Sequence, residues 1–249
     1  MLTLLKIALP DRVFLQRPYS CRPAIQAQNT LATIRHFCNI TNVANPSSEP
    51  LYSFDADRFA EALARFDAEN AQDPNLDESE GHPRPRELLY AQRLTDWVLR
   101  LCPDASEALR LAARSQHICR WQVPRDSYPM TRAGYLQWRS YLKKFHAEKS
   151  GQILRELLYP EDLIQRVQDL NLKKHLPQDL ETRVLEDALC LVFLQFQLPE
   201  LAPKITEEKA INALRKSWNK MTPAAQTFAK TLDYGPREQA LLQKALSPG

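Results

Sequence analysis

A chain of 249 residues, 44% hydrophobic and 25% charged, is long enough to bury a sizeable core as one large domain or a domain with an appendage. Only 5 glycines argue against a Gly-rich phosphate loop, and the absence of any apolar run near the roughly 20 residues that span a bilayer excludes a membrane partner of that kind. The net charge of +3 is uneven: residues 1–48 hold Lys6, Arg12, Arg17, Arg22 and Arg35 against Asp11 alone, a net +4 that leaves −1 for the rest, so the globular part is no nucleic-acid binder by bulk charge.

The opening stretch, "MLTLLKIALPDRVFLQRPYS", is basic and poor in acids in the manner of a mitochondrial transit peptide. The alternatives are a disordered tail or a start codon upstream of the real domain. The expected protein is intracellular, mitochondrial if that stretch is a targeting signal and cytoplasmic otherwise. Five cysteines without paired spacing fit neither a disulfide framework nor a zinc knuckle. "NVANPSSEP" (42–50) reads as a linker, which divides the chain into an N-terminal extension, 1–50, and a domain, 51–249.

Beyond the linker the periodicity is helical. Ser53 or Asp55 caps a helix with Phe59, Leu63 and Phe66 on one stripe. "NLDESEGHPRP" breaks the chain before a helix from about Arg86 to Leu101. Pro103 and Asp104 open another that runs to about Trp121, and "QVPRDSYPM" is a loop held extended by its prolines. Thr131 caps a long helix through His146 towards Leu158, and Pro160 opens the next at its first position. A helix from about Gln178 to Gln197 contains the longest apolar run, Ala188–Leu194. Shorter helices complete an all-α bundle.

Helical spacing points four polar groups inward, from four helices. Asp187 shares a stripe with Val184, Leu191 and Leu194. His146 shares a face with Leu142, Ile153 and Leu157. His117 follows Leu109 and Ala113, and Glu87 lies one turn before Tyr90. Imidazoles and carboxylates projecting from facing helices are how bundles hold a metal. Each also has a blander reading: a hydrogen-bonded core histidine, an Asp187 paired with Arg93, or a Glu87 favoured by the helix dipole. Between the histidines, Arg120, Trp121, Arg125, Tyr128 and Arg132 combine guanidinium forks with stacking faces, as binding of a nucleotide or another phosphorylated ligand requires. Trp138 fits the apolar stripe with Leu142 and Phe145 and is expected in the core.

Several runs resemble the motifs of HD-domain phosphohydrolases. "YAQRLTDWVLRL" (90–101) is similar to their first motif, with Tyr90 where a ligand histidine is usual. "AARSQHICRW" is similar to the helix of the His-Asp pair, "FHAEKSGQILREL" (145–157) to the third motif, and "LEDALCLVFL" to the last helix with its metal aspartate. From about Glu87 to Phe228 the chain resembles domain-of-unknown-function family 4202 in "ELLY", "HICRW", "YPMTRAGYLQWR", "FHAEK" and "LEDALCLVFL". The departures from the HD pattern are Ile118 in place of the doublet aspartate, Tyr90, and Lys173 and Lys174 of "NLKKHL" where larger sites show histidines. They argue against a two-metal centre and leave a single metal ion or a metal-free descendant whose lysines neutralise the carboxylates.

The resemblance therefore implies an HD-like bundle with one divalent metal ion held by His117, His146, Asp187 and Glu87. Glu87 would serve as fourth ligand or general base, Arg120, Arg125 and Arg132 would hold a phosphate, and Lys173 or Lys174 would assist the leaving group. The expected activity is hydrolysis of a small phosphate-containing substrate. The alternative is a non-catalytic protein that binds a nucleotide or RNA through the same arginines and aromatics. A third reading makes "FLQFQLPEL" an exposed apolar surface for a protein partner.

Overall fold

The computed structural model describes residues 53–79 and 81–247. The targeting stretch and the boundary near residue 50 lie outside the described residues. Helix α1 (Ala56–Asn70) starts at Asp55, whose carboxylate accepts from the N–H groups of Asp57 and Arg58. Its buried face is Phe59, Ala62, Phe66 and Asn70. The segment expected only to break the chain instead pairs as a short antiparallel hairpin, β1 (Leu76–Ser79) with β2 (His82–Pro85). It lacks β-branched residues, so no strand propensity marks it.

Helix α2 (Arg86–Leu101) has no side-chain cap of its own at Pro85. Asp73 serves that end from a distance: its Oδ2 accepts from the Glu87 N–H at 3.1 Å, while Oδ1 holds Asn75. Helix α3 (Glu107–Ser115) is capped by Ser106. It stops earlier than expected, and residues 116–119 form a tight turn that leads into a 3₁₀ turn, Arg120–Gln122. Helix α4 (Arg132–Glu156) begins at Thr131, whose Oγ1 accepts from the Gly134 N–H. Helix α5 (Glu161–Leu172) follows Pro160, then α6 (Leu180–Val192), capped by Asp179. A π turn (Phe193–Gln197) runs into the single-turn α7 (Leu198–Leu201). Helices α8 (Glu207–Lys220), α9 (Pro223–Lys230) and α10 (Pro236–Leu246) complete the chain.

The described residues therefore build an all-α fold with one small hairpin. Helix α2 packs on α3 and α6, α3 on α5, and α5 on α4. One continuous apolar core runs from Phe66 and Leu94 through Leu109, Ile118 and Leu154 to Leu185 and Leu191. Among the described residues no helix is long and apolar enough to cross a membrane. Cys119 and Cys190 are free and buried, while Cys102 is disulfide-bonded, so the cysteines are not all unpaired as their spacing suggested.

Two glycines set close approaches. At Gly151 a Cβ would stand 2.3 Å from the Gln168 amide, which lets α4 and α5 pack tightly. At Gly134 a Cβ would stand 2.2 Å from the Pro129 carbonyl oxygen. The first turn of α4 thus lies directly on the 124–131 loop, which Arg125 clamps by donating to the carbonyls of Tyr128, Pro129 and Thr131. Gly134→Ala should lower stability by about 1–3 kcal/mol, read as a lower urea midpoint at unchanged slope. A change below about 0.5 kcal/mol would mean that the loop moves aside freely and is not fixed by this contact.

Candidate functional site

Three of the four inward polar groups meet at the junction of α2, the 116–119 turn and α4. Glu87, in the first turn of α2, is 6% exposed. His117 stacks nearly face to face on Tyr90, one turn further along α2, with centroids 4.2 Å apart and planes 10° apart. Its Nδ1 lies 3.6 Å from Glu87 Oε2. His146, 3% exposed, has its ring 5.7 Å from that of His117.

The turn that carries His117 is held by its own polar frame. The Cys119 N–H donates to Asn70 Oδ1 at 3.0 Å, and Cys119 adopts a left-handed φ of 54°. The Ile118 carbonyl lies 2.8 Å from His146 Nδ1. A carbonyl only accepts, so Nδ1 carries the proton and Nε2 keeps a lone pair in the neutral ring. The atoms left over are the informative ones. Glu87 Oε2, His117 Nδ1, His146 Nε2 and Trp121 Nε1 are buried without a hydrogen-bond partner, a state native proteins reserve for few groups.

Burial disfavours charge on each of them. It raises Glu87 to about 7, with Arg120 opposing the shift and Asp73 adding to it. Burial and then the neighbouring His117 lower His146 to about 3, although the bond to Ile118 works the other way. His117 is lowered well below its ordinary value by burial, then by Arg120, Lys173 and Arg139. Near neutrality both imidazoles are therefore neutral, and Glu87 is divided between its two forms.

Above this cluster opens a cavity of about 480 Å³, within the size range of small-molecule sites. Glu87 and Tyr90 line it together with Arg93, Arg120 and Lys204 and the rings of Trp121, Trp138, Phe193 and Phe196. The Arg120 guanidinium lies over the Trp138 ring at 5.1 Å and forms no hydrogen bond or ion pair among the described residues. Arg93 lies over Phe196 at 4.0 Å. Trp138 is buried as expected, yet it also lines the cavity and donates from Nε1 to the Val123 carbonyl at 2.9 Å.

The other expected residues lie elsewhere or are committed. Asp187 gives both carboxylate oxygens to Thr222, accepting from its N–H and its hydroxyl, and so secures the start of α9. It does not pair with Arg93. Lys173 is bonded to Glu186, and Lys174 pairs with Asp169 at 2.7 Å on the surface. Arg125 lines the cavity, but its donors serve the loop carbonyls. Tyr128 and Arg132 do not line it, and Arg132 is exposed. "FLQFQLPEL" is no free surface, since Phe193 and Phe196 face the cavity and Leu194 and Leu198 are buried.

A divalent ion is the group that the HD-domain resemblance implies, and the donors do not fit it. Asp187 is satisfied by Thr222. Among the described residues no group of three or more His, Cys, Asp or Glu side chains is arranged to hold a metal ion. Residues that spacing reasoning missed are Asp73, Glu186, Arg93 and Trp138. Glu186 adjoins Asp187 in "LED", but no stripe distinguishes the two.

The fold and site define a helical protein with a cationic, aromatic-lined cavity over a buried Glu–His cluster. Residues 60–242 match the family model described as "Domain of unknown function (DUF4202)", and the chain belongs to that family. No curated protein and no solved structure matches the chain.

Glu87 binds its proton more tightly folded than unfolded. Its contribution to stability is therefore present below its ordinary value of 4.5 and lost as pH rises through about 7. Glu87→Gln removes that loss. The stability of the variant relative to the parent should rise by about 3 kcal/mol from below pH 4.5 to above pH 7, in urea titrations of both proteins. A gap independent of pH would show that Glu87 titrates normally.

Proposed function

We infer that the cavity over Glu87 binds a small phosphate-bearing ligand with a flat ring, of the nucleotide class, and hydrolyses its phosphate ester. One observation carries this reading. A buried carboxylate poised near neutrality, with an oxygen that has no partner, shares a cavity with an uncommitted guanidinium. Side chains so placed are suited to general-base catalysis and to holding phosphoryl charge.

In this reading Arg120, with Lys204 and Arg93 nearby, takes the phosphate oxygens. The faces of Trp121, Phe193 and Phe196 take the ring. Glu87 Oε2 accepts a proton from a water as the water oxygen forms a bond to phosphorus and the ester P–O bond breaks, and the departing oxygen takes a proton from solvent to leave as the alcohol. His117, neutral and 3.6 Å away through Nδ1, orients the carboxylate. The resemblance of "HICRW" and "FHAEK" to HD-domain phosphohydrolase motifs supports the reaction class. No step is routed through a divalent ion, because the expected ligands are divided between two places in the fold. Lys173 and Lys174, held by Glu186 and Asp169, have no part in the step.

The second reading is a non-catalytic holder of the same ligand. The commitment of Lys173, Lys174 and Asp187 to other partners favours it, since it leaves Glu87 as the main acid–base group at the cavity. An RNA-binding surface is less well supported, because the arginines line a concavity instead of a track.

One experiment separates these readings: AMP binding by calorimetry, with phosphate release from AMP and from p-nitrophenyl phosphate followed in parallel. Hydrolysis predicts turnover that falls at least about 100-fold in Glu87→Gln, with AMP affinity kept within a few-fold. Arg120→Ala should weaken AMP about tenfold or more. Binding without turnover in the parent protein would leave the holder. No AMP binding, or affinity unchanged in Arg120→Ala, would overturn both.

A further inference from the structure

The second cavity, of about 570 Å³, lies where α4, the turn after α5, α6 and the end of α8 come together. Arg139, Lys143, Lys173, Arg183 and Lys220 line it around one carboxylate, Glu186. Lys173 bonds to one oxygen of Glu186, and Lys220 lies 3.0 Å from the other. The side chains of Lys143 and Arg183 form no hydrogen bond or ion pair among the described residues, and the Arg139 guanidinium only faces the Tyr135 ring at 5.8 Å. Five cations against one anion leave the lining at +4.

Local physics accounts for two of these cations and opposes the other three. Lys173 caps the C-terminus of α5 and Lys220 ends α8, where the helix dipole favours positive charge. Arg183 stands in the first turn of α6, the end where the dipole disfavours it. Arg139 and Lys143 are one turn apart on α4, a like-charge pair that destabilises a helix. Nor is the part of the lining formed by Lys173 and Glu186 an ordinary solvated face, although the Lys220 side chain is 54% exposed. The Lys173 side chain is 18% exposed and that of Glu186 is 8% exposed, so charge is drawn inward instead of reaching for water.

We propose that this cavity is a binding site for a compact oligophosphate, a ligand with two or more linked phosphate groups, gripped by Arg139, Lys143 and Arg183 and ordered by the Lys173–Glu186–Lys220 bridge. A single phosphate does not balance a lining of +4. A pyrophosphate or triphosphate comes closer, and a concavity of about 570 Å³ suits a short anion better than a nucleic-acid strand. Glu186 holds two ammonium groups in place while repelling the ligand, so the site is organised before it is occupied. It shares no lining residue with the first cavity and stands whether or not that cavity hydrolyses phosphate esters.

The test is calorimetric titration of the full chain with orthophosphate, pyrophosphate, tripolyphosphate and a single-stranded RNA, at low and at physiological salt. Pyrophosphate should bind at least about tenfold more tightly than orthophosphate, and tripolyphosphate more tightly still. The double variant Arg139→Ala, Lys143→Ala, both on the outer face of α4, should weaken pyrophosphate about tenfold or more while the helical circular dichroism stays unchanged. Glu186→Gln should tighten it, a sign that a merely structural ion pair does not produce. If that variant fails to fold, the double variant decides alone. Equal affinities for orthophosphate and pyrophosphate, no effect of the double variant, or RNA binding that pyrophosphate does not displace would each overturn the proposal. Failure here is separable from failure of the first cavity, which is read from AMP and Arg120→Ala.

Discussion

Glu87 and His146 are taken out of water and the partly buried His117 is packed with them, and the rest of the site is arranged around that burial. Three ionisable groups within one small volume can share a low-polarity setting only if their charges are suppressed, and the shifts run in that direction: the carboxyl upward, both imidazoles downward. Backbone polar groups around them do have partners. Asp73 satisfies the Glu87 N–H, Asn70 satisfies the Cys119 N–H, and the Ile118 carbonyl takes the His146 proton. Among the described residues, the buried atoms Glu87 Oε2, His117 Nδ1, His146 Nε2 and Trp121 Nε1, which lack a hydrogen-bond partner, gather at and beneath the first cavity. A bonded backbone around such a cluster is the arrangement expected of a site and not of a packing defect.

Two buried glutamates show how surroundings decide the role of one residue type. Glu186 is held by Lys173 and Lys220, and despite its burial its pKa is lowered. It remains an anion and acts as a counter-ion. Among the described residues Glu87 has no ammonium within ion-pair reach, and the nearby guanidinium of Arg120 only partly opposes the effect of burial. It is the one that can exchange a proton near neutrality. The difference lies in the company each helix meets and not in the helix itself, since both residues lie on buried faces.

Much of the fold is legible because its signals are local. The α2 bounds at Arg86 and Leu101 and the Thr131 cap of α4 can be read from periodicity and capping chemistry alone. So can the inward faces of Glu87 and His146. The contacts between elements are not legible in this way. The stripe of Val184, Asp187, Leu191 and Leu194 shows that Asp187 faces inward, and it does: it is 5% exposed. Nothing local shows that a threonine 35 residues later consumes both its oxygens. The same holds for Asp73, which reaches α2 across the hairpin, and for Arg125, whose donors close on three nearby carbonyls. Periodicity gives the direction in which a side chain points, and chemistry needs the identity of what it meets.

That distinction also explains why the two cationic regions are separate. In the chain, Arg120 and Arg139 belong to one arginine-rich stretch. In the fold, the 116–119 turn and the capped start of α4 send Arg120 to the first cavity and Arg139 to the second. His117 feels charges of both regions: after burial, Arg120 of the first cavity and then Lys173 and Arg139 of the second lower its pKa.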